Sequence, residues 1–297
     1  MSKQSQFTSK VDELIAQSKN LSLKARKNMI ELLNEARKKI VAELASVNPQ
    51  SYTAAQLSVL KQSIDRAMDE FRVAATSSVD GYEAAMFQTG AATVSAPLQA
   101  LGLESSTLGQ VSTSTLSIVQ GYTADLISGL SKDAASKVNS TIQRAFLGNQ
   151  SITDIITQIG KAINKGNDFD GVFSSVGRRA TGIALNEIMR VHSIAAQARL
   201  EDASERHPDL QKAWDHLAIA KVPRPGHVAA DGQVVDVDEP FEVEGEELMY
   251  PRDPNGSADN TINCHCLMRP YFAADTLKPS ADQKGLLDDL GISVSAA

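Results

Sequence analysis

Arg224-Pro-Gly-His227, Asp231-Gly232, Phe241, Gly245, Pro251-Arg-Asp253-Pro254 and Asn263-Cys264-His265-Cys266 follow one another inside the stretch from Trp214 to Pro270. This stretch decides the fold. Pro223, Pro225, Pro240, Pro251 and Pro254 each fix φ and remove a backbone donor, so no long helix crosses the region. Both cysteines of the chain and its single tryptophan also lie here. Gln233-Val-Val-Asp-Val-Asp alternates apolar with polar residues, and Pro240-Phe-Glu-Val-Glu-Gly does so again. The alternation predicts two short strands that pair as a hairpin, with turn chemistry supplied ahead of them by Asp231-Gly232. Met268-Arg-Pro-Tyr-Phe272 reads as a last strand.

Outward from that module the pattern changes to helical. Val11, Leu14, Ile15, Met29, Leu33, Ile40 and Leu44 recur at helical spacing from about Thr8 to Val47, where Asn48-Pro49 stops the run. A second stripe holds Leu57, Leu60, Ile64, Met68 and Phe71, and the two predict a helical hairpin about Asn48 to Thr53. From Ala74 to about Ser106 the sequence is rich in Ala, Ser and Thr, and Gly81, Gly90, Pro97 and Gly102 predict short helices and bends. Periodicity returns from Leu108 to Leu130 and from Val138 to Phe146. Ser151 and Asp154 form a capping-box pair ahead of an isoleucine-rich helix that runs to Ile163, with Gly166 beyond its end. A long helix from about Val172 to Asp202 carries a stripe of mostly small residues, with Arg179, Asn186, Glu187, Arg190 and His192 on its other faces.

The class this predicts is mainly α: an elongated helical N-terminal region with a small C-terminal α+β module. Residues 1–150 form the helical region that docks on a partner, 151–208 a further helical part, 209–275 the module with short strands, and 276–297 a mobile tail. A length of 297 residues accommodates that division. Apolar residues at 42% with aromatics at 5% point to a core of Ala, Leu, Ile and Val.

The net charge of −7 argues against a nucleic-acid binder overall, but the charge is uneven. Between Asp236 and Glu247 every charged residue is acidic, which suits a basic protein partner or a cation, or else a solvated strand face. Lys24, Arg26, Lys27, Arg37, Lys38 and Lys39 give the first helix a basic surface; without interleaved aromatics it offers DNA only a non-specific contact. Two cysteines are too few for a disulfide framework and too close to bridge without strain, so reduced thiols are expected. The N-terminus lacks the apolar run of a signal peptide, and no apolar stretch approaches membrane-spanning length, so synthesis and assembly in a cytoplasm are expected.

Three chemistries fit the special stretch. His227, Cys264 and Cys266 are zinc-type ligands, to which His216, His265 or Asp253 would add a fourth. The same residues also suit plain packing, with small buried thiols and a histidine hydrogen-bonded to a turn. A Cys264 thiolate activated by His227 or His265 would make a nucleophile, but nothing identifies an oxyanion site and the nearby acidic segment would raise a thiol pKa. Asp253-Pro254 is most simply a turn whose aspartate caps local backbone donors.

In order and spacing, these residues resemble the signature of the phage Mu F-like head morphogenesis proteins. The resemblance covers about Ser151 to Pro270. Two positions depart from the pattern: His265 stands where arginine is common, and Asn186-Glu187 where a Thr-Glu pair is usual. The resemblance implies a minor head protein of a tailed bacteriophage, associated with the portal and acting in head morphogenesis and in genome packaging or delivery. Its expected partners are the portal protein, other head proteins and copies of itself around the portal. Its expected place is the capsid interior or portal vertex of the virion, after assembly in the bacterial host cytoplasm. Some modules of the family are fused to toxin domains, and none is evident in this sequence. An enzyme is not expected; the alternative is a metal-dependent hydrolase or nuclease delivered with the phage genome.

Overall fold

The computed structural model describes residues 2–47, 54–104, 113–148, 150–160, 171–217 and 223–273. Mainly α describes the fold, with a small C-terminal α+β module. Five helices come first: α1 Lys3–Ser46, α2 Ala54–Ala100, α3 Thr113–Leu147, α4 Ile152–Ile159 and α5 Gly171–Ser204. The module follows as β1 Gln211–His216, α6 Pro225–Ala229, β2 Val234–Asp236, β3 Phe241–Val243, β4 Glu246–Leu248, α7 Ala258–Thr261 and β5 Cys266–Tyr271. None of the described helices is long and apolar enough to cross a membrane.

α1 forms because its apolar positions keep one face along the whole length: Phe7, Val11, Leu14, Ala25, Met29, Leu33, Ala36, Ile40 and Leu44 are all buried. The hairpin expected about Asn48 to Thr53 falls outside the described residues. α2 corrects the expectation of short helices and bends, since it runs unbroken through Gly81 and Gly90 and places Pro97 in its last turn. Packing overrides propensity there. A Cβ on Gly90 would sit 2.5 Å from the His192 carbonyl oxygen, so this glycine permits a close approach of α2 and α5 where the sequence suggested a break. Pro97 has no N–H to offer the carbonyl four residues back, and only three residues of the helix, to Ala100, follow it.

The capping box at α4 forms as expected: the Ser151 side chain accepts from the Asp154 N–H and the Asp154 side chain accepts from the Ser151 N–H. Within the described residues α4 ends at Ile159, followed by Gly160 at φ 127°; Ile163 and Gly166 fall outside them, as do Leu108, Val111 and the tail 276–297.

Two compact units result, neither continuous in sequence. One gathers Leu21–Ala84 and Ser114–Ile188 and is helical. In it the Ser131 hydroxyl donates to the Met68 carbonyl at 2.7 Å, the Thr123 hydroxyl donates to Glu83 at 2.7 Å, and buried Arg37 donates to the Gly160 carbonyl at 3.1 Å. Arg37 therefore does not belong to the basic surface expected of α1. Lys27, Lys38 and Lys39 on that surface pair with Glu31, Glu35 and Glu70.

The other unit gathers Met1–Asn20, Ala85–Thr113 and Met189–Ala297. Its three-stranded antiparallel sheet has the order β2-β1-β5, with Trp214 opposite Met268 and His216 opposite Cys266. The expected β2–β3 hairpin does not form. β2 pairs with β1, and β3 pairs with β4 across Glu244 and Gly245, both at positive φ, which is the conformation a two-residue hairpin needs. β1 went unread because its buried run Lys212, Ala213 and Trp214 breaks period-2 alternation. The start of α1 belongs to this same unit: Phe7 meets Phe272 edge-to-face at 5.7 Å, and Arg269 pairs with Asp12 at 3.2 Å as well as with Asp215. Contacts thus cut across the linear boundary at residue 150.

Candidate metal centre

His227 sits on α6, a five-residue helix that Pro225 starts at its first turn. Gly226, beside it, donates its N–H to Glu244 at 3.0 Å, in a space where a Cβ would collide with the Glu244 side chain. Cys264 follows α7 and Cys266 opens β5. The turns between them bring all three residues together although 37 positions separate His227 from Cys264. His227 Nδ1 lies 3.5 Å from each sulfur, and the ligand atoms of the three lie within 4.8 Å of one another. His227, Cys264 and Cys266 are exposed by only 2%, 4% and 0%.

These distances suit a shared cation. With bonds of about 2.3 Å to sulfur and about 2.1 Å to nitrogen at tetrahedral angles, nitrogen and sulfur ligands stand about 3.6 Å apart. A thiol–imidazole hydrogen bond has a similar length, but Nδ1 carries a single lone pair or a single proton and two sulfurs face it. The donor set is the soft thiolate and imidazole type that zinc prefers.

The surroundings hold the three in place. Trp214 lies edge-on to the His227 ring at 5.9 Å and to Phe241 at 5.3 Å. Arg252, 1% exposed, donates to the Cys266 carbonyl at 2.9 Å and to the Cys264 carbonyl, so one guanidinium clamps both ends of the Cys-x-Cys turn. Asp253 clamps the preceding turn: its two oxygens accept from the N–H groups of Met249 and Asn255, each at 2.9 Å. That is the capping role expected of it. Arg252 and Asn263 adopt φ of 69° and 56° and Glu244 adopts 54°, so the positive-φ non-glycine residues among those described all lie on turns of this module.

Charge follows the geometry. The Cys264 thiol is held well below its usual pKa by hydrogen bonding from Cys266, then by the Arg252 charge and by His227, against the opposing effect of burial. The Cys266 thiol is pushed up, first by its bond to Cys264 and then by burial. His227 is raised, chiefly by Cys264. Burial lowers His265, with Arg252 adding to the effect. Arg252 works to lower both thiols, and no carboxylate of the acidic stretch is among the leading influences on either, contrary to the expectation that this stretch would raise a thiol pKa.

Among the described residues, the closely grouped ligand set is these three, and His216, His265 and Asp253 stand outside it. Asn186 and Glu187 lie in the helical unit, where the Asn186 amide donates to Glu187 at 3.0 Å. Sequence reading missed Arg252 and Asn260. Arg252 left a signal, being the sole lysine or arginine between Asp236 and Arg269; Asn260 left none.

No family model matches the chain, and no solved structure does. The chain is 34% identical over 109 residues to the uncharacterized protein YqbB of Bacillus subtilis (strain 168), a match spanning 36% of this chain and 35% of that protein. It is 36% identical over 89 residues to the NAD(+)--arginine ADP-ribosyltransferase EFV of Enterococcus faecalis (strain ATCC 700802 / V583), spanning 30% of this chain and 18% of that protein. The matched segments are thus about a third and less than a fifth of those relatives' own lengths.

Proposed function

We propose that this chain is a minor head protein of a tailed bacteriophage, associated with the portal, and that one zinc ion on His227, Cys264 and Cys266 staples its C-terminal module. One observation carries the reading: His227, Cys264 and Cys266 of the Mu F-like pattern, though 37 positions separate the first two, meet in one buried cluster that Arg252 clamps. A pattern kept for folding a small module would be arranged in this way. The long helices α1, α2, α3 and α5 supply surface for assembly with the portal, other head proteins or further copies.

The match to 18% of an ADP-ribosyltransferase is of the size a shared module gives, and leaves most of that enzyme without a counterpart here. The role proposed is structural and not enzymatic. The alternative of a hydrolase or nuclease has less support, because Cys264 and Cys266, buried at 4% and 0% exposure, leave little room for a substrate's scissile bond. Three ligands fill three of zinc's usual four positions, and the fourth falls to water or to a group outside this set.

Cross-linking and mass spectrometry of intact particles of the encoding phage test the assembly role. Cross-links from α1–α3 to the portal protein are expected. Particles that lack the chain would contradict it, as would metal-dependent DNA cleavage by the purified protein.

A further inference from the structure

We propose that Asn260 is the positioning residue that commits the Nδ1 nitrogen of His227 to the two sulfurs, and that a backbone carbonyl sets this choice. The relay begins at Val243. Its carbonyl oxygen accepts from the Asn260 side-chain amide at 3.4 Å, and a carbonyl can only accept, so the NH2 end of the amide must face β3. Asn260 Oδ1 is then the atom that meets His227 Nε2, at 3.3 Å.

An amide oxygen has no hydrogen to give. Nε2 must therefore be the donor, and the remaining lone pair of a neutral ring is on Nδ1, the atom 3.5 Å from both sulfurs. Asn260 is held rigidly enough for this, being 3% exposed, with its own N–H bonded to the Ser257 carbonyl at 3.1 Å at the start of α7. Metal-ligating histidines generally have their second nitrogen fixed by such a partner, and losing it costs roughly 10–100-fold in metal affinity. Only the last step, from an oriented Nδ1 to a bound ion, rests on the zinc reading.

The test uses the full chain with 15N-labelled histidine. In metal-stripped, reduced protein, at a pH where the His227 ring carries a single proton, NMR should find that proton on Nε2; a ring protonated on Nδ1 with a bare Nε2 would overturn the relay. With 113Cd added, coupling should appear at Nδ1, and coupling at Nε2 would overturn it equally. Failure to take up cadmium would sink the metal reading alone, and the single-proton tautomer would still decide the role of Asn260. Asn260→Leu should lower Cd affinity by about 10–100-fold and mix the tautomers, while Asn260→Asp, which keeps an acceptor, should stay within a few-fold of the parent. Equal losses in both variants would contradict the proposal.

Discussion

Arg252 is the residue whose chemistry is most exposed to test. Its guanidinium satisfies the carbonyls of Cys264 and Cys266 from a buried position, and removing it leaves both without their donor in a low-dielectric site. Arg252→Met should cost about 2–4 kcal/mol in chemical denaturation and speed hydrogen exchange along β5; a change below about 0.5 kcal/mol would mean that the clamp is incidental. At this scale the sequence was legible where a residue type has few uses. His227, Cys264 and Cys266 were chosen as ligand types and do meet, and Asp253 caps the turn assigned to it. Asn260 was not legible, because its meaning depends on a carbonyl 17 positions away, on β3. Glu83 carries a prediction of its own. Burial, resisted by the Thr123 hydroxyl, pushes its carboxyl up to about 7 from 4.5, so the folded chain binds more protons than the unfolded chain between those values. Stability should therefore be greatest below about pH 4.5 for this group and fall by about 3 kcal/mol as pH rises through 7. Glu83→Gln should flatten that slope and stabilise the protein above pH 7; an unchanged slope would show that Glu83 does not titrate as proposed.

At the scale of elements, α2 shows why glycine is a poor guide without its neighbours. Gly81 has open space around its would-be Cβ, whereas Gly90 would drive one to 2.5 Å from His192 O and 3.1 Å from Ala195 Cβ. Gly81→Ala should stabilise the helix by about 0.5–1 kcal/mol, and Gly90→Ala should destabilise by about 1–3 kcal/mol because backbone must move. Thermal melts of the two variants check the opposite signs. The helices were readable because an apolar stripe repeats every three to four residues whatever the turn chemistry. The strands were readable only in part: β2 and β3 alternate, but their pairing is set by Gly232 and by the Glu244-Gly245 turn, and β1 carries a continuous buried run from Lys212 to Trp214. The Gly232 N–H donates to the Trp214 carbonyl at 2.9 Å and the Trp214 N–H donates to the Gln233 carbonyl at 2.9 Å, which seats β2 on β1 and leaves β3 to find β4.

Across the whole molecule, the linear division into a docking region and a separate module does not describe the contacts. The first turns of α1 pack in the same unit as the sheet, through Phe7 on Phe272 and Asp12 with Arg269. Deleting residues 1–20 should therefore lower the melting temperature of the C-terminal module instead of leaving it untouched, and loss of Trp214 fluorescence change on unfolding at the parent temperature would report it; an identical melt would restore the linear division. This coupling was hidden in the sequence because some 260 positions separate the partners, and no periodicity relates an aromatic near residue 7 to one near residue 272. The central claim is that a metal ion on His227, Cys264 and Cys266 holds the module together. Native mass spectrometry of the full chain, purified without chelator and compared with Cys264→Ser, tests it most directly. One zinc per chain is predicted in the parent and none in the variant, with a stability loss of several kcal/mol because ligand binding contributes to folding. A metal-free parent, with Cys264→Ser costing only about 1–2 kcal/mol, would show that the three residues merely pack.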